Sequence, residues 1–266
     1  MTTTSPEEEI IPVDFDSVLD KIGNFGKFQK VLYYSVCIPI IFTTCLGLSV
    51  VFSVAIPKQR CFVPSCDNPE LPEYQDAFTH GFINFSIPFD HDGKGEYSKC
   101  KEYTFLNITK NNTCSKDNFD QNKQKSCSKI LYDHEYYGST LISEFGLSCG
   151  GEWKIPLVES MSFVGIMIAA MSCGLLADKY GRRHVLMSCL AISVVSGFME
   201  AVSVDFWMYL IFNTTAALGQ AGAFQTGFIL ALESVGQSHR VFCGIVIEYF
   251  FVAGEVVLTI IAMGLR

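Results

Sequence analysis

Five stretches of this chain are almost free of charge, and each is long enough to cross a lipid bilayer. Residues 31–56 and 206–232 hold no Asp, Glu, Lys or Arg; residues 155–177 hold only Glu159, 185–204 only Glu200, and 241–264 only Glu248 and Glu255. A helix needs about 20 apolar residues to span the hydrocarbon core. The first block is too long, and lies too far from the start, for the apolar core of a signal peptide, which runs about 7–15 residues. The expected architecture is therefore an all-α membrane protein with five transmembrane helices over those five ranges. Residues 1–30 precede the first helix, 178–184 and 233–240 are turns, and a long loop fills 57–154.

Composition agrees with the blocks and removes other classes. Only 17% of residues are charged and 49% are hydrophobic, against about 25% charged in ordinary soluble domains. A net charge of −8 argues against a nucleic-acid surface. No HExxH, P-loop, GxGxxG after a strand or GxSxG occurs, so neither an enzyme nor a cofactor is expected.

The long loop has a different chemistry. It holds six cysteines, Cys61, Cys66, Cys100, Cys114, Cys127 and Cys149, and three N-x-S/T sequons at Asn84, Asn107 and Asn111. An even cysteine count beside sequons points to an oxidising, glycosylating compartment. The six lack paired CxxC spacing, so a metal site is not expected. Cysteines 37, 45, 173, 189 and 243 fall in the apolar blocks and read as small hydrophobes. A further sequon at Asn213 lies inside the fourth block and is not expected to be modified.

Basic residues near helix ends set the orientation. Lys21, Lys27 and Lys30 precede the first helix; Lys179, Arg182 and Arg183 follow the second; Arg240 follows the fourth; the turn between the third and fourth carries only Asp205. With the cysteine loop outside, all of these basic residues fall inside and the N-terminus is cytoplasmic. The expected location is multi-pass in a membrane, the plasma membrane in particular.

The turn after the second block has the pattern G-x-x-x-D-K-x-G-R-R, set by Gly174, Asp178, Lys179, Gly181, Arg182 and Arg183. Gly174 would let a neighbouring helix come close. Gly181 can adopt a turn conformation other residues resist. Asp178 can face the positive end of a helix, and the arginines can hold carboxylates. A membrane anchor would need only the basic residues; it does not explain the Asp and the two glycines.

This turn resembles the signature loop of the major facilitator superfamily. Gly23, Phe25, Gly26, Phe28 and Gln29 before the first helix are similar to the GxFGxFQ entry of solute carrier family 22, the organic cation, organic anion and carnitine transporters. Pro57 and Cys61 resemble that family's P-x-x-x-C, Ser139-Thr140 through Glu144-Phe145, Leu147 and Cys149 its stretch before the second helix, and Gly227, Glu233, Gly236 and Arg240 its helix-four exit. The resemblance implies twelve helices in two halves, of which this chain would hold five; the sixth helix and the C-terminal half would be missing. It implies the pairs Cys61–Cys127, Cys66–Cys114 and Cys100–Cys149. The signature turn and the ends of the fourth and fifth helices fall at one membrane depth, so a conformational switch is expected there, with Arg183 and Glu233 in one charge network and Arg240 nearby. One departure stands out: by spacing from Gly227, family members carry a basic residue and a glycine where this chain has Asn213 and Ala217.

Glu248 and Glu255 lie seven residues apart, two helical turns, and so share a face. Charges inside membrane helices are costly and tend to face a cavity or a partner, and no basic residue occurs in the apolar blocks to pair with them. Together with Phe224 and Phe251 as aromatic faces they form the candidate substrate site. The resemblance puts Glu248 where cation-transporting relatives have a polar pocket residue. The expected function is transport of small organic ions, cations or carnitine-like zwitterions favoured, by alternating access in the bilayer. The alternatives are a truncated chain that transports nothing and binds or interferes with a full-length relative, and a membrane-anchored ectodomain.

Overall fold

The structure is a computed structural model that describes residues 26–64, 66–67, 74, 81–89, 97–106, 114–135 and 138–264. Lys21, Gly23, Phe25 and the sequons at Asn107 and Asn111 lie outside the described residues. Five long helices dominate: α1 (Lys27–Ser53), α4 (Lys154–Tyr180), α5 (Arg182–Ala201), α6 (Phe206–Glu233) and α7 (Arg240–Gly264). Between α1 and α4 lie β1 (Gln59–Cys61), α2 (Ile83–Ser86), β2 (Lys101–Phe105), β3 (Phe119–Ser126), β4 (Ile130–Tyr132) and α3 (Leu141–Glu144).

Each long helix overlaps one apolar block; α1 and α5 start four and three residues before their blocks and each ends three residues short of them. At 1.5 Å per residue, the 27-residue α4 is about 40 Å long, more than the hydrocarbon core requires. Four helical stretches among the described residues are long and apolar enough to cross a membrane: Lys27–Ser53, Lys154–Tyr180, Arg182–Ala201 and Gln237–Gly264. The expected fifth, α6, is as long but less apolar, because Asn213, Gln220, Gln225 and several Thr and Gly residues dilute it. Its polar residues are partly or fully buried, Asn213 and Thr226 at 6% and 2% exposure, which is how polar groups sit in a bundle rather than in lipid.

The all-α expectation fails in the loop. There β1 pairs antiparallel with β4 and β2 with β3, the latter with a register shift between Tyr103 and Thr104. Strand β3, Phe-Asp-Gln-Asn-Lys-Gln-Lys-Ser, has no apolar alternation and is exposed along most of its length. Its sequence therefore gives no strand signal; backbone pairing and covalent bridges hold it.

The described residues pack as two compact units. One comprises residues 48–161, 203–210 and 260–266. Its loop core gathers Cys61, Val63, Ile83, Ile87 and Phe119, with Phe85 and Phe105 rings against Phe119 at 5.7 and 5.3 Å. Arg60, buried beside this core, forks onto both Asp67 oxygens at 2.8 and 2.7 Å, and Asp67 also accepts the Val63 N–H at 2.7 Å. Disulfides join Cys61 to Cys127, Cys66 to Cys114 and Cys100 to Cys149, with Cα atoms 5.4, 5.0 and 5.2 Å apart, the same partners as the resemblance implies. Non-reducing peptide mapping should recover these three pairs, and six free thiols would contradict both the pairing and an oxidising location. Loss of one bridge should cost about 2–5 kcal/mol. The same unit holds a second apolar cluster of Val54, Leu141, Leu147, Val158, Phe206, Tyr209 and Leu210, and Thr140 caps α3 in a reciprocal box with Ser143.

The other unit comprises residues 1–47, 162–202 and 211–259. Along α1 and α7, Tyr33, Val36, Cys37 and Ile40 pack on Cys243 and Ile247. The Tyr33 hydroxyl donates to the Cys243 carbonyl at 2.6 Å. A Cβ on Gly254 would meet the Ile41 carbonyl at 2.7 Å, so α7 lies against α1 where only glycine fits. Helices α4, α5 and α6 meet around Ala169, Cys173, Ala177, Val185, Leu186, Cys189 and Ala223.

Candidate functional site

Helices α4 and α5 are separated by one residue, Gly181, at φ 90°. That left-handed conformation favours glycine and turns the chain tightly enough to bring Asp178 beside Arg182. The Arg182 guanidinium lies 2.8 Å from Glu233 at the end of α6 and 3.7 Å from Asp178. One arginine thus ties the ends of α4, α5 and α6. The expectation of an Arg183–Glu233 network requires correction: Arg183 is exposed and makes no ion pair among the described residues, and its neighbour Arg182 takes that place. Adjacent helical residues point about 100° apart, so one guanidinium can face Glu233 while the other faces outward. Arg240 is half-buried and its Nε donates to the Val235 carbonyl at 3.4 Å, bracing the α6–α7 turn.

The reading of Gly174 as a close-approach point also changes. A Cβ there would meet nothing within 4 Å. Close approach occurs instead at Gly165, where it would strike the Thr214 backbone, at Gly219, 2.8 Å from the Ser193 nitrogen, and at Gly222, against two cysteine sulfurs.

The acidic pair lies on α7. Ile247 and Gly254 face α1 and are buried; Glu248 and Glu255 each follow one of them, about 100° round the axis. Glu248 is exposed and Glu255 half-buried. Phe251, three residues from Glu248 and four from Glu255, shares their face. Its ring meets Phe224 of α6 edge-on at 5.6 Å, and Phe224 stacks with Phe228 at 6.2 Å. Tyr34 of α1 lies 6.2 Å from Phe250. The sequence reading did not include Phe228 or Tyr34 in the site; Phe228 is four residues from Phe224, a spacing that signals a shared face. Asn213, at the position where the resemblance expects a basic residue, is 6% exposed, and its Oδ1 accepts the Ser162 hydroxyl of α4 at 3.1 Å. A polar α4–α6 bond therefore occupies that place. Asn84 is exposed on α2, where the Tyr97 hydroxyl donates to its side-chain oxygen.

Residues 103–266 match the sequence model of the family described as "Sugar (and other) transporter". The chain belongs to this family. The sugar (and other) transporter family lies within the major facilitator superfamily. It is 29% identical to solute carrier family 22 member 21 of Mus musculus, over 96% of this chain and 45% of that protein. It is 29% identical to solute carrier family 22 member 4 of Mus musculus, over 95% and 46%. It is 28% identical to organic cation/carnitine transporter 2 of Homo sapiens, over 95% and 45%. The chain spans about half the length of these curated relatives.

The charge cluster in this family member lends itself to a direct check. Partly exposed ion pairs contribute up to about 1 kcal/mol, and such a difference shifts a two-state equilibrium about fivefold. If this cluster stabilises one state of a transport cycle, Arg182→Ala, in the protein expressed from its full coding sequence, should lower initial uptake by up to about fivefold at unchanged surface amount. Arg183→Ala should lower it less than twofold. The reverse order, measured with surface biotinylation, would restore the Arg183 network.

Proposed function

We propose that this chain forms the five-helix opening portion of a transporter of small organic ions, with cations or carnitine-like zwitterions favoured. The names of its relatives, organic cation and organic cation/carnitine transporters, support that substrate class. The observation that carries the charge preference is the face of α7 with Glu248, Phe251 and Glu255, closed on one side by Phe224. The five helices hold no arginine or lysine away from their ends. An uncompensated carboxylate beside aromatic rings favours an organic cation twice, by charge and by the ring faces. An organic anion gains from neither.

In this reading the cysteine loop is extracellular, the N-terminus and the signature turn are cytoplasmic, and the protein sits in the plasma membrane. Alternating access moves this bundle against a second one around a midplane site, and the Arg182–Glu233–Asp178 cluster stabilises one state of the cycle. Gly181 supplies the tight turn that makes the cluster possible.

The test is uptake of labelled tetraethylammonium by cells expressing the full coding sequence that contains this chain. Saturable uptake above empty-vector cells is expected. Background uptake with the protein at the cell surface would contradict the reading and favour a chain that acts on a relative without transporting.

A further inference from the structure

Cys173 of α4 and Cys189 of α5 lie in the apolar interior at 3% and 5% exposure, with their sulfurs 3.7 Å apart. A Cβ on Gly222 of α6 would sit 2.6 Å from one sulfur and 2.8 Å from the other. The two thiols therefore converge on a place where α6 has no side chain. We propose that Cys173 and Cys189 form a two-thiol site for a compact, thiophilic trivalent arsenical, which on binding bridges α4 to α5.

The spacing selects the ligand class. A disulfide needs its sulfurs about 2.05 Å apart, so this pair would have to close by well over 1 Å. A pyramidal centre bonded to two sulfurs at about 2.3 Å, with an angle near 100°, needs them about 3.5 Å apart, and a linear bridge needs about 4.6 Å. The observed 3.7 Å is about 0.2 Å from the bent bridge of trivalent arsenic and about 0.9 Å from the linear one. Zinc would need further ligands, and no group of three or more His, Cys, Asp or Glu suited to a metal occurs among the described residues. Apolar surroundings also favour an uncharged reagent that crosses lipid. In the reaction with arsenous acid, As(OH)3, two As–S bonds form, two As–OH groups leave as two waters with the two thiol protons, and no electrons are transferred. The product fixes the α4–α5 hairpin where Gly222 packs.

The test uses the protein in its membranes. It is treated with arsenous acid, washed, denatured, alkylated with N-ethylmaleimide and analysed by peptide mass. Cys173 and Cys189 should escape alkylation together, by at least tenfold relative to untreated protein, and regain it after 2,3-dimercaptopropanol. In Cys189→Ala, Cys173 should lose its protection. Full alkylation of both in treated wild type, protection of one alone, or protection of Cys173 that persists in Cys189→Ala would each overturn the site. The wild-type measurement stands even if the variant does not fold.

Discussion

Gly165→Leu should abolish recovery of folded protein, while Gly174→Ala should be tolerated. Both glycines lie on α4, and Gly174 is the one in the signature motif. A side chain on Gly165 would be driven into the Thr214 backbone, with the Leu218 nitrogen 3.2 Å from its first carbon. Backbone cannot rotate aside as a side chain can, so α4 and α6 would have to separate. Overpacking a core costs about 1–3 kcal/mol even where side chains give way. Separation would also break the Ser162–Asn213 hydrogen bond, three residues back along α4. At Gly174 a Cβ meets open space, and alanine improves a helix interior by up to about 1 kcal/mol. Size-exclusion chromatography of detergent-extracted, fluorescently tagged protein reads the difference. A monodisperse Gly165→Leu peak of wild-type height would mean that α4 and α6 do not pack as described.

Glycine identity in the motif did not reveal which glycine is tight, because close approach is a property of two helices and a sequence displays one at a time. The same limit applies at the signature turn. The sequence pointed to Arg183 as the partner of Glu233, but adjacent residues differ only by rotation about the helix axis, and that rotation is set by how α5 packs on α6. The long helices were legible because a bilayer forbids charge over a fixed length, and the blocks between 31 and 264 record that prohibition directly. Helix α6 shows the converse: its amides and hydroxyls are hidden by neighbours, so composition understates its place in the bundle. Strand β3 was illegible because its eight residues are nearly all polar, and its pairing is fixed by distant cysteines. On α7 the shared face of Glu248 and Glu255 followed from their spacing of seven, whereas the contact of Phe251 with Phe224 depended on the packing of α6.

The central claim is that Glu248 selects a cationic substrate. Two unit charges 4 Å apart interact by about 4 kcal/mol at an effective dielectric near 20, and about 1.4 kcal/mol already changes affinity tenfold. Glu248→Gln keeps the shape of the side chain and removes its charge. It also leaves the buried α1 seam at Cys243, Ile247 and Gly254 untouched, so folding should be preserved. Glu255→Gln should have the smaller effect, since that residue lies two turns, about 11 Å, further along α7. The deciding measurement is concentration-dependent uptake of labelled tetraethylammonium and of an uncharged probe by the full coding sequence carrying Glu or Gln at position 248. The account predicts that Glu248→Gln raises the half-saturating concentration of the cation more than tenfold and moves that of the uncharged probe less than twofold. Equal cation uptake by both proteins at matched surface amounts would contradict it.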